Sequence, residues 1–294
     1  MNDTVIEVTD LCKSFDRKDV LRNLSLTVPR GSVLGLLGKN GSGKSTLIKC
    51  LTGLLQPSGG STRIFGEESW DLSADAKLRL GYAPQEVSLY PWMRVRQLIE
   101  YTSSFYPNWN RAQVDALARR WELPLEERVG PMSLGQQQKV SLLLALGHEP
   151  DLLILDEPVA SLDPAARREF LSTILEIAGV GERTVVFSTH ITSDLERVAD
   201  RVAILREGKI VDHEELDDLK DRVKRLRIHA ASDLPSSFAV AGALRCEVSG
   251  PNALVAVRDV HPPLLSELQS QWNADVTVED LSLEDIFLEI HHAS

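Results

Sequence analysis

Residues 36–50, LLGKNGSGKSTLIKC, constrain this chain more than any other stretch. Gly38, Gly43, Lys44 and Ser45 fit G-x-x-x-x-G-K-[S/T], with the apolar run SVLGLLG before them and the helix-like STLIKCLTGLL after. A strand, a glycine-rich turn and a helix start, in that order, make a phosphate cradle. Glycines let backbone N–H groups curl around a phosphate with no Cβ in the way. The first turn of the helix adds unpaired donors and the positive end of its dipole. Lys44 is placed to reach the β- and γ-phosphates of a nucleotide, and the Ser45 hydroxyl to ligate Mg²⁺. Asn40, Gly41, Ser42 and Thr46 complete the loop expected to bind.

The cradle alone leaves a kinase, a GTP switch and a DNA-bound motor open. A small GTP switch carries N-K-x-D after a later strand, and the sequence has none. A compact nucleoside kinase is short, with an arginine-rich lid; here the next acidic strand end, Asp156, stands far enough from Lys44 to need an inserted domain. That strand, DLLILDEP, ends in Asp156–Glu157. The aspartate is placed to hold Mg²⁺ through water, and the glutamate to polarise an attacking water as general base. The strand is too apolar for a solvated edge. A net charge of −11 and a pI near 5.2 argue against a broad nucleic-acid-binding face, so no nucleic acid is expected as partner.

The 294 residues, 43% hydrophobic, suffice for one large domain or two. The N-terminus MNDTVIEVTD lacks the pattern of a signal peptide, and no run approaches eighteen apolar residues. Cys12, Cys50 and Cys246 form no CxxC and read as reduced packing residues of a cytoplasmic protein. TVIEVTDL, LSLTV and SVLGLLG read as strands, residues 90–147 as helices, and DLLILDEP and TVVFSTH as buried parallel strands. From about Asp212 the texture changes: DHEELDDLKDRVKR reads as a charged helical connector, followed by strands and amphipathic helices. The expected architecture is α/β. A P-loop core carries an N-terminal antiparallel β subdomain and an inserted helical subdomain (about 88–147), all within residues 1–212. A small C-terminal α+β domain spans 213–294.

At this point the motifs carry a resemblance. Together with YAPQ, MSLGQQQKV, ASLDP and STH, the cradle and the Asp156–Glu157 strand end resemble an ATP-binding-cassette ATPase over residues 4–211. The C-terminal extension and LSLEDIFLEI resemble the branch whose ATPase pairs with a separately encoded permease, mostly exporters. The resemblance implies ATP and Mg²⁺ as cofactors, with Phe15 stacking on adenine and Val20 packing on the same ring. Gln85 would sense the γ-phosphate and Mg²⁺, and His190 would contact the γ-phosphate or the attacking water. Ser133, Gly135 and Gln136 would belong to the signature that completes the partner's site, with Asp163 at the seam. Lys44, Gln85, Glu157 and His190 are thus the expected catalytic set, and Ser45, Gln85 and Asp156 the metal set.

The family signature is L-S-G-G-Q, whereas this chain has Met132-Ser133-Leu134-Gly135-Gln136. A left-handed backbone at Leu134 would be strained by roughly 1–2 kcal/mol; the first turn of a helix would not. LGQQQKVSLLLALG is a good helix former, which favours the second. Aromatics crowd between Tyr82 and Trp109, where the family receives a helix of the permease. Tyr101 and Phe105, at i and i+4, are expected in the core, and Tyr90, Trp92 and Met93 as partly exposed contacts. The implied protein is a homodimer or heterodimer of ATPase subunits, peripheral on the inner face of the cell membrane through its permease, driving export by ATP-dependent closure. The alternative is a soluble, non-transport cassette ATPase or regulator.

Overall fold

The computed structural model describes residues 3–179 and 183–292. Its contacts divide the chain into two compact units, Met1–His213 and Glu214–Ser294.

The first unit opens with long strands β1 (Thr4–Phe15) and β2 (Lys18–Pro29), then β3 (Val33–Leu37) and helix α1 (Lys44–Leu51). Strands β4 (Gly59–Ile64) and β5 (Glu67–Glu68) join β1 and β2 in a sheet of order β2-β1-β4-β5, with antiparallel pairing throughout. Along β2, Leu24, Leu26 and Val28 are buried while the residues between them are exposed. That period-two alternation gives one face to the core and one to water. After α2 (Ala74–Leu78) and β6 (Leu80–Ala83) come the inserted helices α3 (Val95–Ser103), α4 (Arg111–Arg120) and α5 (Leu134–Leu146).

Next come β7 (Leu152–Asp156), α6 (Pro164–Ala178), β8 (Thr184–Thr189), α7 (Thr192–Val198), β9 (Arg201–Arg206) and β10 (Lys209–Glu215). They build a second sheet of order β10-β9-β3-β8-β7-β6. Strands β3, β7 and β8 are buried at every residue and run parallel to one another. Continuous apolar strands of this kind need cover on both faces. Their C-terminal ends deliver Leu37, Asp156 and Thr189 to one edge of the sheet, where ligands of open α/β sheets bind.

In the second unit, α8 (Leu216–Arg222) leads into β11 (Val223–Ala230), β12 (Ala243–Ser249) and β13 (Asn252–Arg258). Helix α9 (Pro262–Trp272), β14 (Ala274–Asp280) and α10 (Leu283–His292) complete it. The sheet order is β12-β13-β11-β14, all antiparallel. Leu226, Ile228, Val255 and Val257 share a core with Leu264 and Leu268 of α9. The charged stretch expected as one helical connector is instead the end of β10, one short helix and the start of β11. Apart from the buried Asp212, its charges are exposed or half-buried, whereas the buried Leu216, Leu219 and Val223 follow a strand–helix–strand path.

Candidate functional site

A cavity of about 580 Å³ opens at the start of α1, within the usual range for a small-ligand site. Asn40, Gly41, Gly43, Lys44, Ser45 and Thr46 line it, as do Val20, Gln85 and Glu157. Gly43 has φ 112°, a left-handed conformation that a side chain would strain, and α1 begins behind it with no side-chain cap. A Cβ on Gly38 would stand 2.6 Å from Ser42 Oγ and 2.7 Å from Leu205 O, so the loop closes tightly on itself there. Ser42 Oγ is buried and makes no hydrogen bond. Ser42 and Gly38 do not line the cavity themselves; they pack beneath the backbone turn whose uncapped helix start, behind Gly43, fits a phosphate group.

Lys44 is 5% exposed. Its Nζ donates to Gly38 O at 2.7 Å and lies 3.1 Å from Glu157 Oε1. The other Glu157 oxygen, Oε2, is 3.0 Å from His190 Nδ1. Two expected catalytic groups, Lys44 and His190, therefore meet on the carboxylate of a third. Ser45 Oγ lies 3.2 Å from Asp156 Oδ1 and 3.5 Å from Gln85 Oε1. Two side-chain oxygens within 3.5 Å of the Ser45 hydroxyl, one of them anionic, suit a small hard cation that keeps much of its water. Among the described residues no group of three or more His, Cys, Asp or Glu side chains makes an all-protein metal cage. Burial, with the negative charge of Asp156 second, pushes the Tyr82 phenol up to about 12.

Ser188 was not anticipated. Its hydroxyl donates to Asp156 Oδ1 at 2.7 Å and accepts from Glu157 N at 2.9 Å, so it spaces the two acidic residues. The parallel register Asp156↔Ser188 places it there; a serine in an apolar strand, two residues before His190, was the only sequence signal. Glu157 has φ 48°, left-handed for a residue with a side chain. Lys18, Asp19, Arg22 and Glu207 also line the cavity, and no motif marked them.

The remaining expected residues stand apart from the cavity. Phe15 is 45% exposed with Lys13 Nζ 5.0 Å above its ring; it pairs in register with Lys18, which does line the cavity. Ser133 caps α5: its Oγ accepts from Gln136 N at 3.2 Å, while Gln136 Oε1 accepts from Ser133 N at 3.0 Å. Leu134 opens the helix, is 70% exposed and has no left-handed backbone. Gly135 packs close to the chain at Ser161, whose carbonyl a Cβ would approach to 3.1 Å. Asp163 caps α6 through Ala165 N and Ala166 N, and those amides hold its carboxyl below the usual range. Tyr101 and Phe105 are 43% and 60% exposed, not core. Their i, i+4 spacing does pair the rings edge to face, 5.1 Å apart, and Tyr90 joins Tyr101 at 5.7 Å.

A family model described as ABC transporter matches residues 21–160. The chain is 32% identical to the bacitracin transport ATP-binding protein of Bacillus licheniformis, over 78% of this chain and 76% of that one. It is 28% identical to the linearmycin resistance ATP-binding protein of Bacillus subtilis (strain 168), over 98% of this chain and 86% of the relative. A solved structure of the ATP binding subunit of an ABC transporter superposes with a TM-score of 0.67 at 31% identity, covering 74% of this chain and 92% of that one.

Proposed function

Because the chain belongs to the ABC transporter family as an ATP-binding subunit, we propose that it hydrolyses Mg·ATP at a site completed by a second cassette, and so drives export through a separate membrane permease. The observation that carries this reading is the convergence of Lys44 and His190 on the Glu157 carboxylate beside an open phosphate loop. Lys44 neutralises the buried Glu157. A γ-phosphate entering the loop competes for Lys44 through charge-assisted hydrogen bonds. That exchange frees Glu157 to take a proton from an attacking water, with His190 holding the water or the transferring group. Mg²⁺, held through Ser45, Asp156 and Gln85, would neutralise charge on the β- and γ-phosphate oxygens.

Ser133, Gly135 and Gln136 lie outside the cavity, so their role at a γ-phosphate requires another subunit; Asp163 would then stand at the seam. Phe15 and Val20 would flank the base. The first unit carries this chemistry, and the second supports dimer or permease contacts. The bacitracin and linearmycin relatives support the exporter reading. No helix of the described residues is long and apolar enough to cross a membrane. In the proposed assembly a separate permease supplies the path and holds the subunit at the inner face of the cell membrane. Glu157→Gln keeps the shape and loses the basicity. It should bind Mg·ATP as wild type does and fall at least about a hundredfold in steady-state phosphate release. Near-wild-type turnover would sink the assignment of Glu157.

A further inference from the structure

Strands β7 and β8 are parallel neighbours, and each ends in a group assigned to the chemistry: Glu157 after one, His190 after the other. Each strand then turns into a helix, α6 and α7 respectively. The strand ends are joined by His190 Nδ1 and Glu157 Oε2 at 3.0 Å. The helices are joined by Arg167 Nε and Asp194 Oδ2 at 3.4 Å. Asp194 stands in the first turn of α7, four residues beyond His190, and Arg167 one turn beyond the N-cap Asp163 of α6. Together the two contacts close a ring that holds Glu157 and His190 on one side.

We infer that Asp194 and Arg167 are a positioning pair for His190, their ion pair fixing the two helices and through them the Glu157–His190 distance. Helix α7 needs such a tie, because Ile191 at its N-cap offers no side-chain hydrogen bond. Its other anchor is apolar: Leu195 lies so close over Gly35 that a Cβ there would stand 1.6 Å from Leu195 Cδ2. Asp194 is only 3% exposed, and neither its Oδ2 nor Arg167 Nε makes a hydrogen bond, so each has the other's charge as its near polar neighbour. A charge buried in this way holds its place only while its counter-charge does. Burial pushes the Asp194 carboxyl up; Arg167, Arg197 and His190 pull it back, and Glu157 adds to the rise. The pair is therefore electrostatically coupled to both groups it positions.

This inference rests on the ATPase reading, and steady-state kinetics on the full chain separate the two. Asp194→Asn and Arg167→Gln should each lower kcat by about tenfold, leave the affinity for Mg·ATP within about twofold, and lose no more when combined than either alone. An unchanged kcat in either single variant, losses that multiply in the double variant, or an effect confined to KM would overturn the pair. Should Asp194→Asn fail to fold, Arg167→Lys carries the test: a fall in kcat at constant ATP affinity supports the inference, and wild-type kcat refutes it. A wild-type chain that does not hydrolyse ATP overturns the ATPase reading itself, and the pair with it.

Discussion

Helices α1 and α5 both begin at sites assigned to phosphate, and they begin in opposite ways. Helix α1 starts behind a left-handed glycine, with no side-chain cap and no acidic residue in its first turn. Its amide donors are left for something from outside the chain. Helix α5 closes its own end with the reciprocal Ser133–Gln136 box, although Ser133 and Leu134 are exposed. A cap of this kind contributes about 1 kcal/mol of helix stability. The difference is between a helix end whose amide donors have no side-chain cap and one that its own residues close; under the proposed function, the first meets the nucleotide of its own subunit and the second that of a neighbour. A side chain at Gly43 of the first loop would be strained by its left-handed backbone, while a leucine fits on the exposed first turn of the second.

The largest effect should come from the open end. Lys44→Ala removes the charge that meets the phosphates and strands a buried Glu157, so isothermal titration should show Mg·ATP affinity falling by about a hundredfold or more. Unchanged affinity would break the comparison at its root. The next test makes the two ends depend on each other. Lys44→Ala and Ser133→Ala should each be nearly inactive alone, yet regain hydrolysis when mixed. A heterodimer then has one site with both an intact loop and an intact signature, provided that one site can fire without the other. Activity of Ser133→Ala that persists at dilutions where dimers dissociate would make the site self-contained.

A third test asks whether both ends belong to one unit. Residues 1–213 should stay folded and keep Mg·ATP affinity within about threefold, since every residue argued to touch the nucleotide lies there and the two units have separate cores. Loss of a cooperative thermal transition would overturn the division. The smallest effect belongs to Leu134→Gly. With the leucine on an exposed first turn, the hydrolysis rate should change by less than about tenfold, or roughly 1.4 kcal/mol of barrier. Stability should drop by no more than about 1 kcal/mol. A larger gain in rate would mean the leucine restrains the native site.

The phosphate loop, the acidic strand end and His190 were legible because each combines a local conformation with a local chemistry. A glycine turn before a helix, or a carboxylate ending an apolar strand, is specified within a few residues. Ser188 was not legible, because its role exists only in the register between two strands far apart in sequence. Tyr101 and Phe105 show another limit. The i, i+4 spacing correctly brought the two rings together, although Phe105 lies in the turn just past the end of α3, but it could not say whether anything covers them. Here the rings meet edge to face at the surface. The charged run near Asp212 failed for a related reason: density of charge reports solvent, while period reports the element, and three short elements share it.

Glu157 carries the last consequence. A left-handed backbone at a residue with a side chain costs roughly 1–2 kcal/mol, and glycine or asparagine would bear it more easily. Relief of that strain in Glu157→Gly or Glu157→Asn is outweighed, because either change strands the buried Lys44 ammonium, a loss of about 3–5 kcal/mol. The awkward backbone at this codon is held in place by its partner, not by the strand that leads to it. A redesign for heat resistance therefore has no reason to touch position 157: endurance and turnover ask for the same residue there.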